Sequence, residues 1–446
     1  MQQSVPELVP APSTPALRAL WTFVSPFTGV VHALDETLAA PDEHRLISIA
    51  CELADGVPTV GGPVERHASS EHPTREAAEA AAIGEALERY SAAFVPDDRL
   101  VVGSARHLSS AVDPTRFALF HETQFADPAF PFRRFTSDTE LSWVDGTSLP
   151  SGTPAYLPAQ LVFLNWRTRG SAEDSIGYAT SSGLACGATP EDARLAGLLE
   201  QIERDAVMLA WYCRLSLPLL DWSRDPTLAR LDARYFAPTG LRYSAVDLSA
   251  FFGVPTVLGV VHGRPGVLGA LGVGAAAAPT IAVAWRKAVA EAFTVQRWVR
   301  DQALERPDDV DRPAVEIASF AGHTLYYAHP DRAALAAFLD GSPARRDTRD
   351  VAPLDGADVL DQIADVCDRL AQCGVSAYAV DVTSPDVRSA GLHVARVIVP
   401  ELCQLDVSER ARFLGGSRLY EAAYHADLVP RPLTVADLNP DPHPFP

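Results

Sequence analysis

Residues 81–89, Ala-Ala-Ile-Gly-Glu-Ala-Leu-Glu-Arg, and residues 196–204, Ala-Gly-Leu-Leu-Glu-Gln-Ile-Glu-Arg, share one charge pattern, Glu-x-x-Glu-Arg, set in apolar, helix-favouring sequence. Residues three apart lie on one helix face, so each copy holds two carboxylates side by side, at a cost in repulsion. Glu85 with Arg89 and Glu200 with Arg204 also stand at the spacing of an ordinary surface ion pair, and a single copy would imply nothing more. The second copy is different. Leu195, Leu198, Leu199, Ile202, Ala206, Val207, Met208, Leu209 and Trp211 surround it, and a helix apolar on all sides is a buried one. Carboxylates on a buried helix must be paired or bound to metal. Two such helices predict a fold that gathers them around a multivalent cation, handling a polyanion such as a nucleotide.

Composition narrows the partners. A chain of 446 residues, 47% hydrophobic and 21% charged, has the material for one large core or several smaller ones. The formal charge is −20, with no basic run, so a nucleic-acid surface is not expected. A nucleotide site in so acidic a chain would need divalent metal. The first forty residues show no signal-peptide pattern, and no run approaches the length of a membrane span. The expectation is a cytoplasmic protein with neither nucleic-acid nor membrane partners.

Cys51, Cys186, Cys213, Cys367, Cys373 and Cys403 form no Cys-x-x-Cys, and no histidine joins them at zinc-ligand spacing. They read as reduced core residues. Lys287 is the only lysine among 37 basic residues, within the helix-like segment 283–293, which also carries Glu291. No Gly-x-x-x-x-Gly-Lys precedes it, so it is not a P-loop lysine. Gly272-Val273-Gly274-Ala275-Ala276-Ala277 imitates a dinucleotide fingerprint but lacks the acidic residue at the end of a second strand. It reads as a strand with small side chains under close packing.

Strand-like runs at 155–163, 256–262, 267–273, 376–382 and 394–399 alternate with helical patterns at 74–93, 190–212, 279–300 and 357–372. This predicts an α+β, or mixed α/β, architecture in which distant helices converge. Residues 1–60 read as an N-terminal subregion whose first seventeen residues are loose, 61–430 as the main domain, and 431–446 as a proline-rich tail. Residues 307–313 and 341–350 read as surface loops.

These residues carry a resemblance. Ser181-Ser182-Gly183-Leu184-Ala185-Cys186-Gly187-Ala188-Thr189, running through Glu191-Asp192-Ala193 into the second Glu-x-x-Glu-Arg, is similar to the central signature of the YcaO superfamily. The first Glu-x-x-Glu-Arg, the helix around Lys287, Asp381 to Asp386 and Gly391 to Pro400 follow in family order. Prolines at 440, 442, 444 and 446 resemble the end of the azoline-forming branch, the cyclodehydratases of thiazole- and oxazole-modified peptide or thiopeptide biosynthesis. The chain departs from the family at Ala81 and Ala188, where small polar residues are usual, at Asp192 and Lys287, where Glu and Arg are usual, and at Gly61-Gly62-Pro63.

The resemblance implies a mixed fold whose helices and sheets converge on a nucleotide and Mg2+ site. It implies ATP-dependent conversion of Cys, Ser or Thr in a ribosomal precursor peptide to thiazoline or oxazoline, by phosphorylation of the backbone amide oxygen. Glu85, Glu88, Glu200 and Glu203 would hold Mg2+, and Arg89, Asp192, Arg204, Lys287 and Glu291 would contact ATP or order its surroundings. Pro446, through its carboxylate, would serve the reaction. A leader-binding partner resembling ubiquitin-activating enzymes is implied, and a flavin-dependent dehydrogenase and a homodimer are compatible with the branch. Thioamide or amidine formation, and a non-catalytic scaffold, are the alternatives.

Overall fold

Each of the three helices that carry the charged motifs begins on a sequence signal. The first acidic helix, Arg75–Ala93, starts after extended Thr74 and buries Ala78, Ala82, Ile83, Ala86 and Leu87. The second, Pro190–Tyr212, opens on a capping box in which Thr189 and Asp192 satisfy each other's backbone N–H groups, with Pro190 in the first turn. The lysine helix, Ile281–Glu305, is capped by Thr280, whose hydroxyl accepts from Val283 N. Pro307 follows its last turn. The computed structural model describes residues 14–167 and 173–446.

The strands, in chain order, are β1 (Val31–Thr37), β2 (Ile47–Leu53), β3 (His67–His72), β4 (Leu100–Ser104), β5 (Glu140–Ser148), β6 (Pro154–Pro158) and β7 (Leu184–Gly187). They continue as β8 (Leu219–Asp221), β9 (Arg242–Asp247), β10 (Thr256–His262), β11 (Leu271–Ala277), β12 (Arg345–Asp347), β13 (Tyr378–Asp381) and β14 (His393–Ile398). Three sheets result. The first is β1-β2-β3, the second β4-β5-β13-β14-β7 with β6 on β5, and the third β11-β10-β9-β8-β12. All pairings are antiparallel except β8 with β12.

The helices join the sheets. The first acidic helix packs on β2 and β3 of the first sheet and on β7 of the second. The second packs on β7 and β14 on one side and on β11 of the third sheet on the other. The lysine helix crosses β10 and β11. Every residue from Ala206 to Tyr212 is buried, as an all-round apolar pattern requires. The architecture is α+β, as the alternation of patterns indicated.

Several local readings change. Of the run 155–163 only 155–158 is strand, as part of Pro154–Pro158, because the chain turns into the helical turn Ala159–Val162 after Pro158. The strand expected at 267–273 is β11, four residues later: Gly266 and Gly269 adopt positive φ and make a turn there. Residues 341–350 contain β12, and residues 307–313 contain the short helix Pro307–Val310. Of the proline-rich start, residues 1–13 lie outside the described residues, whereas Thr14–Trp21 is helical. The first sheet runs past residue 60 to His72.

Candidate functional site

The two acidic helices and the lysine helix bring their carboxylates together where the three sheets abut, and one strand of each sheet binds a carboxylate through its backbone. Glu85 accepts from Ser69 N of β3 at 3.1 Å. Glu88 accepts from Cys186 N of β7 at 2.8 Å. Glu203 and Glu291 accept from Ala277 N and Ala275 N of β11, at 3.2 and 2.8 Å. Glu200 is the common neighbour, since its charge bears on Glu85, Glu88, Glu203 and Glu291.

Glycine makes one of these contacts reachable. A Cβ on Gly274 would stand 2.5 Å from Ala292 N and 2.6 Å from Glu291 Cβ. Only a bare backbone lets the lysine helix lie this close to β11. The imitation dinucleotide fingerprint is therefore a strand under close packing, as its sequence suggested.

Few cations offset the acids. Arg89 pairs with Glu85 at 2.6 Å and donates to His67 O. Arg204 stands 3.5 Å from Glu200 and 3.3 Å from Glu203, and its Nε has no acceptor among the described residues. Lys287 is exposed at the rim, and Glu203 and Glu291 both feel its charge. Burial pushes the pKa of Glu88 well up, and the Glu200 and Glu85 carboxylates add to it. Glu203 is pushed up to about 7 by burial, against the pull of Arg204 and with the Glu291 and Glu200 charges adding to the rise. Glu85 and Glu291 are raised for the same first cause.

Like-charged groups packed this tightly without enough counter-charge are matched by a hard divalent cation, for which an all-oxygen carboxylate set is the usual surrounding. Among the described residues no three such side chains converge closely enough to enclose an ion. Each is turned instead to a backbone N–H or an arginine.

Two expected residues stand apart. Asp192 accepts from Thr189 N and Thr189 Oγ1, at 3.2 and 2.8 Å, as the helix cap. Pro446 ends a tail that is inserted into the core. Trp211 Nε1 donates to Asp441 O at 3.0 Å, Tyr327 OH donates to Pro442 O, and His443 Nε2 donates to Asp406 O at 2.8 Å. The His443 ring stacks on His323 at 3.9 Å, and Phe445 is 1% exposed against Trp211. Burial, then His323, depresses the His443 pKa, and Arg204 contributes too, which sets the tail near the acidic helices.

Two further groups belong to none of the sequence motifs. Glu71 on β3 is pushed up to about 7 by burial and by the charges of Glu291 and Glu85. Arg286, beside Lys287, is 5% exposed, with no acceptor for its Nε among the described residues. Burial pushes its pKa down to about 10. Burial pushes the Cys186 and Cys213 thiols up, and all six cysteines are unpaired.

Known proteins resemble this chain. The chain is 31% identical over 214 residues to an uncharacterized protein of Methanothermobacter thermautotrophicus, a match covering 47% of this chain and 52% of that one. A heterocyclase in complex with substrate and cofactor superposes with TM-score 0.80 at 24% identity, over all of this chain and 59% of that one. The YcaO of Methanopyrus kandleri bound with AMPPCP and Mg2+ superposes with TM-score 0.58 at 21% identity, over 86% of this chain and 89% of that one. This chain thus spans little more than half the length of the first two. Residues 70–403 match the family model of the YcaO cyclodehydratases, described as ATP- and Mg2+-binding, and the chain belongs to that family.

Proposed function

We propose that the chain is the cyclodehydratase of a peptide-modifying system, closing Cys, Ser or Thr of a ribosomal precursor onto the preceding carbonyl to give thiazoline or oxazoline. The observation that carries this reading is the meeting of Glu85, Glu88, Glu200, Glu203 and Glu291 at the junction of three sheets, with Arg204, Arg286 and Lys287 close by in space or sequence. MgATP, when bound, supplies the phosphoryl group that makes an amide oxygen a leaving group.

The chain's own residues then have distinct tasks. The four Glu-x-x-Glu carboxylates would hold the metal, and the backbone N–H groups of β3, β7 and β11 tether Glu85, Glu88 and Glu203 beside it. Glu291 orders the same floor. Arg204, Arg89 and Lys287 balance the polyanion, Lys287 as a point charge free to reach from the rim. Asp192 acts through the cap that fixes the start of the second acidic helix. The tail is anchored through His443 and Phe445, and the Pro446 carboxylate at its end would take the proton given up by the attacking side chain.

A partner resembling ubiquitin-activating enzymes would bring the leader peptide. The test is mass spectrometry of a leader-bearing peptide incubated with the chain, that partner, ATP and Mg2+. Loss of one water per ring supports the reading, and ATP consumption with an unchanged peptide mass contradicts it.

A further inference from the structure

A cavity of about 40 Å3 lies between β14, the second acidic helix and the loops that carry Phe117, Tyr178 and Phe413. This is room for about three water-sized groups, the size of one peptide group. Gln201, Gln404 and Arg396 supply its polar wall.

Arg396 is 4% exposed. Its Nη1 donates to Thr180 O at 2.6 Å and its Nη2 to Leu161 O at 3.1 Å. Its Nε–H has no acceptor among the described residues, and a buried donor left open calls for an explanation. Gln201 Nε2 donates to Ser182 O at 3.0 Å, which leaves Gln201 Oε1 to accept from Gln404 Nε2 at 3.3 Å. Gln404 Nε2 also faces Leu402 O at 3.3 Å. The orientation of the Gln404 amide is thereby fixed, with Oε1 as the remaining acceptor.

An open donor on Arg396 and the acceptor left on Gln404, both among the side chains lining one cavity, complement a secondary amide. They do not suit an anion, because Gln404 Oε1 and the nearby Glu200 charge oppose one. We infer that the cavity is the subsite for a main-chain peptide group of the substrate, whose carbonyl accepts from Arg396 Nε–H while its N–H donates to Gln404 Oε1. Phe117, Tyr178 and Phe413 cover the adjoining apolar atoms. The inference rests on the reading that the substrate is a peptide.

Its place agrees with that use. Gln201 sits between Glu200 and Glu203 on the second acidic helix, and Arg396 lies close enough to Glu200 to feel its charge. On the other wall, Phe413 N donates to Asp406, whose carbonyl holds His443 of the tail. A peptide group in the cavity therefore lies between the carboxylate cluster and the anchored tail.

The test uses the full chain and a small probe, acetyl-glycyl-cysteine N-methylamide, with binding followed by saturation-transfer NMR in wild type, Gln404→Leu and Phe117→Trp. The half-buried Gln404 and Phe117 are the positions where a change is best tolerated. Binding in the wild type, weakened about tenfold in both variants, is expected for one lost hydrogen bond or a filled cavity. The KM for a full precursor should rise about as much, with the KM for ATP unchanged. No transfer to the probe in the wild type, or equal binding in all three proteins, overturns the assignment, the cavity then holding only water. Probe binding lost in the variants while the wild type forms no rings would keep the subsite and remove the proposed reaction. Ring formation at wild-type KM in both variants would remove the subsite and keep the reaction.

Discussion

Glu88 accepts a hydrogen bond from Cys186 N at 2.8 Å, tying the first acidic helix to the strand that leads into the second. The two motifs, far apart in sequence, are thus held by the backbone, and the first prediction concerns what they hold. Glu200→Ala and Glu203→Ala should each lower peptide-dependent ATP hydrolysis by about 100-fold or more, with the thermal midpoint unchanged or raised, since removing a crowded like charge relieves repulsion. Phosphate-release assays and thermal melts check both parts.

The raised pKa of Glu203 makes a signed prediction about pH. Its folded value of about 7 exceeds the unfolded carboxyl value, so the folded chain binds the extra proton. The stability this group contributes is complete below the unfolded value and is lost as pH rises through about 7. Glu203→Gln mimics the protonated form. Wild type and variant should therefore melt alike near pH 4, with the variant more stable at pH 8 by on the order of 2 kcal/mol. The comparison cancels His323 and His443, whose lowered values act in the opposite direction. Mg2+ with nucleotide should restore the wild type more than the variant.

Gly274→Ala should cost about 1–3 kcal/mol by overpacking, because the new methyl meets Ala292 N at 2.5 Å. Urea denaturation at unchanged m-value would show it. The same change should weaken nucleotide binding by moving Glu291 away from Ala275 N.

Much of this site was legible because helices repeat. Glu-x-x-Glu-Arg puts its charges on one face wherever it occurs, and apolar surroundings reveal the burial, so both acidic helices and the lysine helix appear at nearly their observed bounds. Strands gave weaker signals. The run at 267–273 hid a turn because Gly266 and Gly269 stand among strand-forming residues, and β12 is a short strand of Arg-Arg-Asp at the edge of its sheet beside β8. Glu71, Arg286 and Arg396 were missed for a different reason. None belongs to a repeated motif, and what makes each notable, a buried charge beside other carboxylates or a buried Nε–H without an acceptor among the described residues, exists only in space.

The tail offers a fourth prediction. Phe445 is fully buried, and truncating such a ring costs about 3–5 kcal/mol in a rigid core, although a terminal segment can detach instead. Phe445→Ala should expose residues 439–446 to carboxypeptidase and slow ring formation about tenfold, with nucleotide affinity kept. Wild-type ring formation with a digestible tail would deny the tail a part in the reaction.

The central claim is that the two acidic helices together bind a metal–nucleotide complex. Calorimetric titration with AMPPCP and Mg2+ tests it most directly, in wild type, Glu88→Ala and Glu200→Ala. The account predicts Mg2+-dependent binding in the wild type and affinity about 100-fold weaker in each variant, one from each helix. Binding that is independent of Mg2+, or equal in all three proteins, would contradict it.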